Sequence, residues 1–162
     1  MRDTPEAGRG NRWAGRRSTG EAIVNILLAK FLVRFVRLGR WRGSLGRNLD
    51  SQAVAPDPFD PAEGKDARRL ARSVLRACER VPGHTKCLPQ AMALQWMLKR
   101  RGISSVLVTA VYKGKPSDVV DRYHAWVEHG GAIIIGHCDM AMYQPLMQLT
   151  QGVIDQGPAD ER

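Results

Sequence analysis

Few residues in the chain can do covalent chemistry: three cysteines, Cys78, Cys87 and Cys138, and four histidines, His84, His124, His129 and His137. A cysteine nucleophile needs a stabilised thiolate, a base within hydrogen-bond reach and a third group that fixes the tautomer of the base. Cys87 is the best placed of the three thiols. It stands where the loop His84-Thr85-Lys86 turns into the run Cys87 to Trp96, and Pro89 is tolerated only in a first helical turn. Thr85 is a plausible N-cap, and the basic turn Lys99-Arg100-Arg101 followed by Gly102 marks the stop. The positive end of the helix dipole, with Lys86 and His84 close in sequence, favours thiolate at Cys87. A buried, inert cysteine is the competing reading of this segment taken alone.

Among the candidate bases, His84 lies in the loop before Cys87, and His129 falls in a hairpin turn where it is expected to be solvated. His124 is on a strand, Tyr123 to Glu128, and alternation puts it on the same face as Trp126 and Glu128. With Gly130-Gly131 as a two-residue turn, His129 pairs with Ala132 and His137 falls opposite His124. A bulge would shift that pairing by one residue. Trp126 is expected to pack on the Cys87 helix, and Glu128 to be a solvated strand residue. Cys78 lies on an apolar helical stripe and reads as core. Cys138 reads as an exposed thiol beside His137 and Asp139, a cluster whose members are too close in sequence to hold a metal.

These residues need elements to position them. Residues 1–19, rich in Arg, Gly and acids, read as a disordered basic tail. Residues 20–64 read as an N-terminal helix and a linker. Ile23, Ile26, Leu27, Phe31, Leu32, Phe35, Val36 and Leu38 give the helix over 21–38, and Lys30, Arg34 and Arg37 share one face. The linker over 39–64 is punctuated by Pro56, Pro58, Pro61 and several glycines. A helix over about 65–81 turns Leu70, Val74, Leu75, Cys78 and Val81 inward and five arginines outward. Beyond the Cys87 helix come strands at 105–112, 123–128 and 132–137, with turn chemistry over Lys113 to Asp118. The segment from Met142 to Met147 is expected on the sheet edge, and a flexible tail over 151–162. The layout is α+β, a nucleophile-bearing helix packed on an antiparallel sheet, with the working domain over 65–150.

Length and charge narrow the options. The 162 residues suit one domain, and three cysteines without C-x-x-C spacing suit a reducing cytoplasm rather than a disulfide or zinc framework. Lys and Arg outnumber Asp and Glu 11 to 4 over residues 1–50 and 10 to 5 over 51–102, but fall to 4 against 7 over 103–162. A basic N-terminal two-thirds suits an anionic partner, a membrane surface included. No helix-turn-helix, aromatic-rich sheet or zinc motif supports nucleic acid. Cations within the apolar helix argue against a membrane span and a cleaved signal.

Four segments together carry a resemblance: Cys87-Leu88-Pro89-Gln90-Ala91-Met92-Ala93-Leu94, then Leu98 to Ile103, then Tyr123-His124-Ala125-Trp126-Val127-Glu128, and the closing Tyr143-Gln144-Pro145-Leu146. Over residues 65–149 the chain resembles the lasso-peptide B proteins, transglutaminase-like cysteine peptidases that remove the leader from a ribosomally made precursor. The resemblance implies a transglutaminase/papain-like core with Cys87 as nucleophile and His124 as general base, and no cofactor or metal. Family members carry an acidic third residue about a dozen positions after the histidine. Here that place falls at Gly136-His137, so Asp139, reaching back, is the expected orienter and His137 the alternative. The partners implied are the precursor with its leader and an ATP-dependent cyclase. The first 60 residues hold no strand-rich module to read the leader, so a separate recognition protein is expected.

Overall fold

The structure, a computed structural model, describes residues 7–48, 61–115 and 121–151. The linker around Pro56 and Pro58, the turn residues Pro116 to Asp118 and the tail beyond Gln151 lie outside them. Helix α1 spans Ala7–Phe35, and α2 (Leu38–Trp41) runs into a 3-10 turn at Arg42–Leu45 and the short strand β1 (Arg47–Asn48). Helices α3 (Pro61–Cys78) and α4 (Cys87–Lys99) precede β2 (Ser105–Tyr112), β3 (Tyr123–His129), β4 (Ala132–Ile135) and β5 (Tyr143–Gln151). The five strands form one antiparallel sheet in the order β1-β5-β2-β3-β4.

Helix α4 is the centre of the molecule. Every residue from Ala91 to Leu98 is buried, which suits a helix apolar on all sides. Helices α1 and α3 pack on it and on each other, and Leu107, Ala125, Val127 and Leu149 offer it one face of the sheet. Gln95 is the polar exception and is fully buried. Its amide donates to the carbonyls of Leu45 and Leu149 at 3.2 and 3.1 Å, and its oxygen accepts from the Ser105 hydroxyl at 3.0 Å. One side chain thereby fastens α4 to β2, β5 and the turn before β1.

Several expectations change. The helix reaches back to Ala7, through much of the segment read as a disordered tail. Helix α3 starts at Pro61, a first-turn position that suits proline. Its inward places go to Ala67, Ala71 and Ala77 as well as Leu70 and Val74, while Leu75 turns outward. Small residues there let α1 and α4 approach closely. The segment expected on the sheet edge is the start of a nine-residue strand between β1 and β2.

Helix α1 buries Ala22, Asn25, Ile26 and Ala29 against the core. Val24, Leu27, Leu28, Phe31 and Phe35 are exposed, and their spacing makes them a second apolar stripe on the solvent side.

Two bulges interrupt the regular register of the sheet. Between β2 and β5, Thr109 pairs with Met147 but Ala110 with Pro145, so Leu146 is the extra residue. Pro145 has no N–H to give a ladder, which suits a bulge. Between β3 and β4, Val127 pairs with Ile135 but Glu128 with Ile133. His129 pairs with Ala132 across the Gly130-Gly131 turn, as the turn chemistry implies.

Candidate active site

Cys87 is the first residue of α4, preceded by Lys86 in extended conformation at the N-cap. The expected cap, Thr85, lies one residue too early. Its hydroxyl is buried with no hydrogen-bond partner among the described residues. Pro89 has no N–H and the Gln90 N–H reaches the Lys86 carbonyl at 3.4 Å, so the donors beside the thiol at the positive end of the dipole are the N–H groups of Cys87 and Leu88. The Cys87 Sγ lies 4.0 Å from the Tyr123 carbonyl oxygen, and it lines the same cleft as the His124 ring, whose charge acts on the thiol.

The other side of the imidazole is held by the backbone. His124 Nε2 is 3.0 Å from the carbonyl oxygen of Gly136. A carbonyl only accepts, so Nε2 carries the proton and Nδ1 is left to serve the cysteine. Strand β4 ends at Ile135 and Gly136 turns at φ +77°, bringing this carbonyl inward. A side chain there would collide with β3: a Cβ would stand 2.5 Å from the Ala125 oxygen and 3.0 Å from Trp126 Cα. Only glycine combines this conformation with so close an approach.

The expected orienters are placed elsewhere. Asp139 accepts from the Ala141 N–H at 3.0 Å and caps the 3-10 turn Met140–Met142. His137 is exposed, past the end of β4, because the strand stops two residues short of it. It is therefore not opposite His124. Neither side chain hydrogen-bonds the His124 ring, and the place a dozen residues on is taken by a main-chain oxygen.

Electrostatics favour an ion pair. Burial raises the Cys87 thiol pKa, but the His124 hydrogen bond and charge, with the N–H groups of Ala125 and Leu88, outweigh it and leave it below its ordinary value. The His124 pKa is raised, first by its bond to Cys87 and then, against the cost of burial, by the Gly136 carbonyl and the Cys87 and Asp121 charges. Thiolate and imidazolium stabilise each other.

Residues 29–148 match the Transglutaminase-like superfamily. The chain belongs to that superfamily. No curated protein and no solved structure matches the chain. The superfamily includes cysteine peptidases and acyl transferases, and its fold is typically that of a cysteine-dependent enzyme. The match begins inside α1, so the end of this helix from Ala29 to Phe35 falls within the transglutaminase-like match.

Other candidate residues depart from expectation. Trp126 packs on the sheet face away from α4, with Val108 and Ala110 and beside Cys138 and Tyr143, since it alternates with the helix-facing Ala125 and Val127. Its indole N–H donates to Glu128, which is therefore not simply solvated. The His124 ring lies between Trp126 and Tyr143, with centroids 6.2 and 5.4 Å away. Cys138 is half-buried in this cluster, and burial and the Asp139 charge raise its pKa. His129 is buried, Nδ1 2.7 Å from the Ser104 oxygen. Lys86 is tied to Asp121 at 2.8 Å, both exposed, and His84 is exposed at the mouth of the site.

Among the described residues, no group of three His, Cys, Asp or Glu is arranged to hold a metal, and no helix is long and apolar enough to cross a membrane. A cleft of about 840 Å³ opens directly on Cys87 and His124 and continues between α1 and the sheet.

Proposed function

We propose that this chain is a thioester-forming cysteine peptidase that removes the leader from a ribosomally made lasso-type precursor peptide. The observation that carries the reading is Cys87 at the start of α4 sharing one cleft with His124, whose ring is held from its other side by the Gly136 carbonyl. The motifs around Cys87, His124 and Tyr143 support the finer assignment by their resemblance to the lasso-peptide B proteins.

In this reading the Cys87 thiolate attacks the carbonyl carbon at the leader–core junction. The developing oxyanion meets the Cys87 N–H at the start of α4. His124 donates its Nδ1 proton to the departing amine as the C–N bond breaks, leaving a thioester on Cys87 and a core with a free N-terminus. Water then adds to the thioester carbonyl while His124 takes its proton. Collapse expels the Cys87 thiolate, releases the leader as a carboxylic acid and restores the ion pair. Gly136 holds the imidazole edge-on throughout. The freed core passes to an ATP-dependent cyclase, and a separate recognition protein presents the leader.

The test is incubation with precursor and recognition partner, followed by mass spectrometry of the junction. Cleavage at one peptide bond, lost in Cys87→Ala, supports the reading. Wild-type cleavage surviving in Cys87→Ala would remove the nucleophile, and a product joined to an added amine would assign an acyl transferase.

A further inference from the structure

The cleft beside the Cys–His pair is not a neutral slot. One wall comes from Phe31 and Phe35 in the last two turns of α1 and from Leu38 of α2, and the opposite wall from Leu146 and Met147 of β5. Leu146 reaches it because the bulge at Pro145 makes it the extra residue of its strand. Phe31, Phe35 and Leu146 are 54, 69 and 58% exposed, unusual for large apolar groups with no partner to cover them.

The charge around these walls has one sign. Lys30, Arg34, Lys86 and Arg122 line the cleft against a single carboxylate, Asp121, which Lys86 already holds. Lys30 gives a hydrogen bond to the Pro82 carbonyl and so stays over the cleft. The Arg34 guanidinium lies over the Phe35 ring, 5.4 Å from its centroid, and no carboxylate among the described residues pairs with it. Aromatic walls under a cationic rim suit a peptide segment that is apolar and carries a carboxylate.

We infer that this groove is the substrate-reading subsite of the enzyme, taking an apolar, aromatic-containing stretch of the precursor with an acidic residue that Arg34 engages. The inference rests on the peptidase reading above and deepens it. It assigns α1 a specificity role, with Phe31 and Phe35 as the apolar anchors. Continuity argues for substrate rather than a distant partner, because the groove runs without interruption to Cys87 and His124.

The experiment alkylates Cys87 with three kinds of electrophile. Iodoacetamide reports the reactivity of the thiolate alone. Chloromethyl ketones and N-chloroacetyl amides of the tripeptide Phe-Leu-Glu place that sequence on either side of the reacting carbon, and Ser-Gly-Ser versions serve as controls. The Phe-Leu-Glu probe is expected to react about tenfold faster than its control from at least one side. Phe31→Ser/Phe35→Ser, which changes two exposed positions, reduces that preference to near unity, and Arg34→Gln removes the part due to Glu. Iodoacetamide rates stay unchanged in both variants. No preference in the wild type, or a preference that survives Phe31→Ser/Phe35→Ser, overturns the inference. So does an equal loss toward iodoacetamide, since α1 would then be supporting the thiolate rather than reading the substrate. A wild-type Cys87 no more reactive than Cys78 or Cys138 would instead defeat the peptidase reading.

Discussion

The two ends of α4 are built to opposite specifications. Around its last two turns every side chain from Ala91 to Leu98 is buried, Gln95 is satisfied on both sides of its amide, and Arg100 and Arg101 grip Glu21 of α1. At its first residue a half-buried thiol faces an open cleft beside a histidine with a raised pKa. A rigid, fully paired end holds the helix so that the other end can carry unpaired donors and a reactive group without collapsing. The difference assigns stability to one end and chemistry to the other, and substitutions at each end test whether the two separate.

The largest effect belongs to the open end. Cys87→Ala is expected to lower peptide cleavage by ~10³-fold or more, about 4 kcal/mol of activation free energy, because the covalent route is lost. Its urea unfolding midpoint should match the wild type, since the site contributes little to the core. Next comes the closed end. Gln95→Leu leaves the Leu45 and Leu149 carbonyls and the Ser105 hydroxyl without their buried partner, at a cost of roughly 3 kcal/mol in unfolding free energy. Cys87 in the folded fraction should keep its iodoacetamide rate. A parallel fall in both quantities would show that the ends are coupled.

Gly136→Ala probes the joint between them. The added Cβ meets β3 backbone, so the turn must shift and the carbonyl withdraws from His124, with about 2 kcal/mol lost in stability. The pH profile distinguishes this from simple loosening. The carbonyl raises the His124 pKa, so without it the imidazolium loses its proton at lower pH. The alkaline limb of the rate profile should therefore move toward acid, and an unmoved limb would deny Gly136 a role in orienting the base.

Much of this architecture is legible in the chain. The helices packed around Cys87 and the strands at 105–112 and 123–128 follow from periodicity, Cys87 stands out at a helix start, and His124 is singled out by the family resemblance of its strand. What stays hidden is what main-chain geometry decides. The orienter of His124 is a carbonyl, which every residue has, so the search for an acidic side chain passes over it. A glycine closing Ile133-Ile134-Ile135 is its only signal. The length of β5 and its place inside the sheet, between β1 and β2, are masked by Pro145, which reads as a strand breaker until the bulge accommodates it. His129 reads as solvated because its hairpin partner is visible in sequence and its bond to Ser104 is not.

The smallest effect separates the closed end from its surface. Glu21 joins Arg100 and Arg101 at 2.8 and 2.7 Å, but one arginine is half exposed, so solvent screening limits the cluster to about 0.5–1 kcal/mol. The Arg101 hydrogen bond leads in holding the Glu21 carboxyl below its ordinary pKa, despite the opposing cost of burial. A depressed carboxylate pKa stabilises the fold above the pKa of the unfolded chain, and that contribution disappears as pH falls through the folded value. Glu21→Gln should therefore unfold at slightly lower urea than the wild type near neutral pH, and the two curves should converge in acid below the usual glutamate range. A gap that persists there would mean that Glu21 acts through packing rather than charge. Cys87 alkylation should be the same in both proteins at either pH, because the ion cluster lies at the far end of α4 from the thiol.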